Sequence, residues 1–158
     1  MAMGARGIVV QPGQGAVSSF SPAGRSSSNC GGGETCDSIM MFEETIPAGT
    51  KSTFHLHHDS DEVAYLLSGE VTFKIGDELT VGVGGTGTCA FMPRGVPHAW
   101  KNTGAETGRV LFLYTPARAG GLREEQQRTG RKFASMSERE LAEICQRHGW
   151  ELLGPPPL

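Results

Sequence analysis

No stretch of this chain approaches the roughly 18 consecutive apolar residues of a membrane-spanning helix, and residues 1–15 lack the apolar core of a signal peptide. A soluble, cytoplasmic protein with no membrane partner is therefore expected. A basic run or stripe is also missing. The 14 Lys plus Arg stand against 17 Asp plus Glu, a formal charge of -3, which argues against nucleic acid as a partner. No C-x-x-C pair occurs among the four cysteines. Cys30, Cys36, Cys89 and Cys145 read as thiols, although Cys30 and Cys36 lie close enough in sequence to bridge on oxidation.

What the chain has in excess is glycine. The 23 Gly residues are about twice the usual share of roughly 7%, and they fall between short apolar runs without a collagen-like period. Punctuation of this kind predicts many turns and many strands. With 158 residues there is room for one compact core. Ile8-Val9-Val10 reads as a short strand, followed by a Ser/Gly/Pro-rich loop as far as Gly33. Strand signals then recur at Thr53 to His58, Val63 to Leu67, Val71 to Ile75, Thr88 to Met92, Pro97 to Asn102 and Arg109 to Thr115. No helical period separates them, so antiparallel sheets are expected. Beyond Pro116 the pattern turns helical. Leu122 to Arg128 suits a short helix, and Ser137-Glu138-Arg139-Glu140 is a capping box that opens a second, with Leu141, Ile144, Cys145 and His148 at helical spacing. Residues 1–34 thus read as an N-terminal strand and flexible loop, 35–116 as a β-barrel, and 117–158 as a helical tail packed on the barrel's outside.

Side chains two apart on a strand point the same way, so His55 and His57 present two imidazoles on one face. A tight turn through Asp59-Ser60-Asp61 would carry Glu62 to the start of the adjacent antiparallel strand, and His98 would arrive from a later one. Three imidazoles and a carboxylate suit one divalent transition metal ion (Fe, Mn, Ni, Co, Cu or Zn) and leave room for exchangeable ligands. Strand parity turns His58 outward. It puts Ala64 and Leu66 on the face of Glu62, and Trp100 on that of His98. Leu66, Phe91 and Trp100 are the candidate pocket lining, and an apolar cavity beside an open metal position favours a small organic ligand.

Two stretches resemble phosphate-binding loops and fail the test of context. Gly82-Val83-Gly84-Gly85-Thr86-Gly87 fits G-x-G-x-x-G, and Thr50-Lys51-Ser52 matches the end of a P-loop, but a strand signal rather than a helix follows each.

The metal-binding pattern is embedded in two longer motifs. The first runs Gly49, five residues, His55-Leu56-His57, four residues, Glu62, six residues, Gly69. The second runs Gly87, five residues, Pro93-Arg94-Gly95, two residues, His98, three residues, Asn102, with Thr88 where an Asp is common. In order and spacing the chain resembles the cupin superfamily. More loosely, it is similar to small single-domain bacterial cupins of the quercetin-dioxygenase-like kind. The resemblance implies an all-β, double-stranded β-helix (jelly-roll) barrel with metal on His55, His57, Glu62 and His98. It also implies turn and strand-end roles for Gly69 and Asn102. The expected function is that of a metal-dependent oxidoreductase, dioxygenase-like, with a small-molecule substrate and Glu62 as catalytic base. A non-redox isomerase or lyase and a non-catalytic metal or ligand-binding module are the alternatives. A homodimer is expected, with the Ile8-Val9-Val10 edge covered by a second copy.

Overall fold

A computed structural model describes residues 7–18, 24–82, 87–131 and 133–158, so most of the Gly82 to Gly87 string lies outside the described residues. Among the described residues ten strands precede the first α-helix: β1 (Val17–Ser18), β2 (Arg25–Cys30), β3 (Met40–Ile46), β4 (Phe54–His57), β5 (Asp61–Ser68), β6 (Val71–Ile75), β7 (Glu78–Gly82), β8 (Cys89–Met92), β9 (His98–Asn102) and β10 (Gly108–Thr115). Helices α1 (Gly121–Thr129) and α2 (Glu138–Arg147) follow, and β11 (Trp150–Gly154) ends the chain.

One sheet has the order β1-β2-β3-β10-β5-β8 and the other β11-β4-β9-β6-β7, with every pairing antiparallel. From β3 to β10 the chain crosses repeatedly from one sheet to the other, which is the jelly-roll connection. Alternation drives the assembly. In β10, Val110, Phe112 and Tyr114 are at most 1% exposed while Arg109, Leu111 and Leu113 face away, and β3 repeats the pattern with Met40, Phe42 and Ile46. Phe42 and Phe112, directly opposite in register, stack at 5.3 Å. Each buried aromatic or aliphatic side chain in this core contributes on the order of 2 kcal/mol.

Tight connections depend on glycine at one point in particular. Gly69, with φ +90°, turns β5 into β6, and a Cβ there would meet the Gly108 Cα at 2.6 Å. Asn102 locks the same end of the barrel. Its Nδ2 donates to the carbonyls of Ile46 and Glu106, and its Oδ1 accepts from Gly104 N–H.

The N-terminal region departs from the sequence reading. Ile8-Val9-Val10 forms no strand, and Ile8 and Val9 are exposed. The strand lies instead in the Ser-rich stretch taken for loop: β2 pairs along β3, burying Ser26 against Glu44. Its serines carry no apolar signal, so pairing with β3 makes the strand. Cys30 and Cys145 are buried, Cys36 and Cys89 exposed, and all four are free thiols.

Both helices form where expected. The capping box is present, with Glu140 N–H bonded to Ser137 Oγ and the Glu140 carboxylate accepting from Ser137 N–H. His148 caps α2 and hydrogen-bonds Glu125 of α1 at 2.6 Å. The tail's place differs from the expectation of an outer layer. Strand β11 pairs with β4, setting Trp150 opposite His57 and Leu152 opposite His55, so the tail closes over the histidine-bearing end of the barrel. Among the described residues no helix is long and apolar enough to cross a membrane.

Candidate metal centre

His55, His57 and His98 stand on the inner face of one sheet, and Glu62 reaches them from the other. Strands β4 and β9 pair with His55 opposite His98, which sets two imidazoles side by side. The turn at Asp59-Ser60 does not make a hairpin, because β5 pairs with β10 and β8 and has no pairing with β4. Glu62 therefore faces the histidines across the barrel. One potential ligand atom from each of the four side chains lies within 4.8 Å of the others, and all four residues are buried. It is the one such His/Cys/Asp/Glu group among the described residues.

Hydrogen bonding orients the rings. His55 Nδ1 lies 2.9 Å from the Thr53 carbonyl and His98 Nδ1 2.9 Å from the Val96 carbonyl, so each ring donates from Nδ1 and turns Nε2 inward. His57 Nε2 and His98 Nε2 meet the same Glu62 oxygen, Oε2, at 2.9 and 3.1 Å. His55 Nε2 has no hydrogen-bond partner although it is fully buried. A buried lone pair without a donor, aimed at a carboxylate and two more imidazoles, fits a divalent cation better than it fits a packed core.

Protonation follows from these contacts. Burial lowers the His55 pKa to about 3, with help from the neighbouring His98 and His57, and keeps its ring neutral. His57 is also lowered, first by burial, against the pull of Glu62. Burial works against charge on His98 and Glu62 as well, but hydrogen bonding outweighs it: the bond to Glu62 raises His98, and the bonds with His57 and His98 hold Glu62 well below the usual carboxylate range. The cluster thus favours a proton on His98 over the other two rings, against an ionised Glu62.

Aromatic side chains wall the site. The Trp150 ring stacks on His55 at 4.6 Å and meets His57 edge-on at 4.2 Å, and its Nε1 donates to the Ala119 carbonyl. Tyr114 packs edge-on to His57 at 5.2 Å. A cavity of about 230 Å³ opens beside His55 and Glu62, between Trp100, Phe112, Tyr114 and Trp150, with Leu122, Leu141 and Leu152 of the tail on its far wall.

Of the three residues expected to line it, Trp100 does. Leu66 faces inward and is fully buried in the core, off the cavity wall. Phe91 points away and is 55% exposed, because it alternates with Met92, the residue opposite Glu62 in register. His58 is turned outward as expected and pairs with Glu151. The sequence reading missed Trp150 and Tyr114. Tyr114 was accessible by parity with Phe112, but Trp150 lies 52 residues beyond His98 and carried no signal of its own.

Comparison with known proteins agrees with this architecture. Residues 42–114 match the model of the cupin domain. The HTH-type transcriptional regulator PuuR of Escherichia coli (strain K12) is 28% identical over 78 residues, 49% of this chain, and the chain spans about two-fifths of that regulator's length, 41%. A predicted oxalate decarboxylase from Thermotoga maritima superposes with TM-score 0.59 at 19% identity, covering 68% of this chain and 98% of that one. The polyketide cyclase RemF from Streptomyces resistomycificus superposes with TM-score 0.58 at 18% identity, covering 70% and 80%. Residues 42–114 thus match the cupin domain, and the chain has the all-β jelly-roll fold of these proteins with a buried three-histidine, one-glutamate cluster that can hold a metal ion.

Proposed function

We propose that this cupin is a metal-dependent enzyme acting on a small organic molecule, with dioxygenase-like chemistry as the first reading. The observation that carries the proposal is the cavity that opens on His55 and Glu62 of the buried His55, His57, Glu62 and His98 cluster. These four residues would hold one divalent transition metal ion, which supplies Lewis-acid character and, with Fe, Mn, Ni, Co or Cu, a site for O₂. The protein's own part is to orient and to move a proton. Trp100, Phe112 and Trp150 would clamp a flat apolar body and exclude water, and Glu62 Oε2 would accept the proton of a substrate hydroxyl.

A second reading, lyase, cyclase or isomerase chemistry without redox change, draws support from the decarboxylase and cyclase descriptions of the two superposed proteins. Anaerobic turnover with Zn would favour it. The match to part of a transcriptional regulator supports a third, a ligand-binding module.

Glu62→Gln separates these readings. Gln keeps the shape and an acceptor oxygen but takes no proton near neutral pH. With Glu62 as base, the variant keeps most of its metal and loses most of its turnover on a substrate found by oxygen-consumption screening of polyphenols and diketones. Full activity per bound metal removes the proton-transfer role, and no turnover in either protein leaves the binding module. A homodimer remains our reading of the quaternary state, supported by the exposed Ile8 and Val9; a monomer in light scattering at micromolar concentration refutes it.

A further inference from the structure

The cavity has a second polar end that no part of the metal cluster uses. Glu44 of β3 lines it and is 1% exposed. Its Oε2 accepts from Arg123 Nη2 of α1 at 3.0 Å, and Arg123 Nη1 donates to Ser26 Oγ at 3.0 Å. The guanidinium lies 3.7 Å above the centre of the Phe42 ring, which leaves it little freedom to turn. Glu44 Oε1 is equally buried and has no hydrogen-bond partner. A buried carboxylate oxygen without a donor is costly and calls for a partner, either an ordered water or a group on an arriving ligand.

The sheet register separates the backbone levels of Glu44 and Glu62. Tyr114 lies opposite Glu62, and Val110 opposite Glu44, on the same strand. Four residues of β10 separate the two levels, about 13 Å along the strand. Phe112 lies between them on β10, and Trp100 and Tyr114 wall the same cavity.

We infer that Glu44 is a second recognition point for the ligand. The cavity takes a small molecule with a chelating oxygen group at the His55, His57, Glu62 and His98 end, a flat apolar body, and a hydroxyl or N–H at the far end that donates to Glu44 Oε1. This inference rests on the metal-site reading above and adds the substrate's far end to it.

The test is calorimetric titration of zinc-loaded wild type and Glu44→Gln with 2-naphthohydroxamic acid and its 6-hydroxy and 6-methoxy analogues. In the variant the amide oxygen keeps the Arg123 bond, so the amide NH₂ takes the place of Oε1 and an acceptor becomes a donor. Wild type should bind the 6-hydroxy compound about tenfold more tightly than the unsubstituted one, the size expected of a hydrogen bond to a buried charge. Glu44→Gln should lose that preference, bind the unsubstituted compound within about twofold of wild type, and gain for the 6-methoxy compound. Equal hydroxyl preference in both proteins overturns the inference. So does the absence of any preference in wild type, a result that stands even if the variant does not fold and that leaves the metal site intact. Failure of wild type to take up zinc overturns the metal-site reading and the Glu44 contact with it, and failure of the zinc-loaded protein to bind any of the three hydroxamates overturns the Glu44 contact alone.

Discussion

Trp150 offers the sharpest test of whether the C-terminal tail belongs to the site. Its indole is 6% exposed, stacks on His55, and donates Nε1–H to the carbonyl of Ala119, itself 1% exposed. Trp150→Phe keeps most of the ring and removes the indole donor to that buried carbonyl, at a cost of about 1 to 3 kcal/mol. Trp150→Ala removes the ring as well and opens a cavity over two imidazoles, for a total of about 3 to 5 kcal/mol. Urea unfolding of the metal-stripped proteins measures both losses. The second readout is zinc affinity by competition with a chromophoric chelator. His55 keeps its Thr53 hydrogen bond in either variant, but without the indole its ring is free to tilt, and affinity should fall roughly tenfold in Trp150→Ala. Trp150→Ala within 1 kcal/mol of wild type would show that the tail does not pack as described, and an unchanged zinc affinity would refute its role in positioning His55.

Two further predictions concern the cluster. His98→Ala should lower metal affinity and abolish most of the rise in melting temperature on metal addition, because binding to the folded state alone stabilises it; equal holo melting temperatures for mutant and wild type would contradict this. Metal uptake should depend on pH through His98, whose pKa is raised above 6.5 and which must lose its proton to become a ligand. Below that raised value uptake releases about one proton and affinity falls about tenfold per pH unit; above it the dependence disappears. In the metal-free protein the sign reverses: the Glu62–His98 pair contributes stability that is present below the unfolded His pKa of about 6.5 and is lost as pH rises through the folded value. Calorimetry in buffers of different ionisation enthalpy counts the proton, and a pH-independent uptake would show that His98 is neutral in the free protein.

The sequence by itself marked the four cluster residues: His55 and His57 through strand parity, which is local because residues two apart share a face whatever the rest of the chain does, and Glu62 and His98 through motif spacing. The strand at Val71 to Ile75 and the capping box at Ser137 were legible for the same reason, since their signals lie within a few residues. Only the tertiary structure decided how the cluster closes. Glu62 is five residues from His57 yet meets it across the barrel, because β4 and β5 join different sheets, and sheet membership is set by pairing with β9, β10 and β11 far along the chain. Strand β2 exists because β3 offers it an edge, although its Ser-rich composition reads as loop. Phe91 had the right residue type and the wrong parity relative to Met92, a difference of one position that register alone resolves. Trp150 and the Arg123–Glu44 pair reach the cavity from segments with no local mark of function, and they do so because the tail must bury its apolar face and the open end of the barrel is where that face fits.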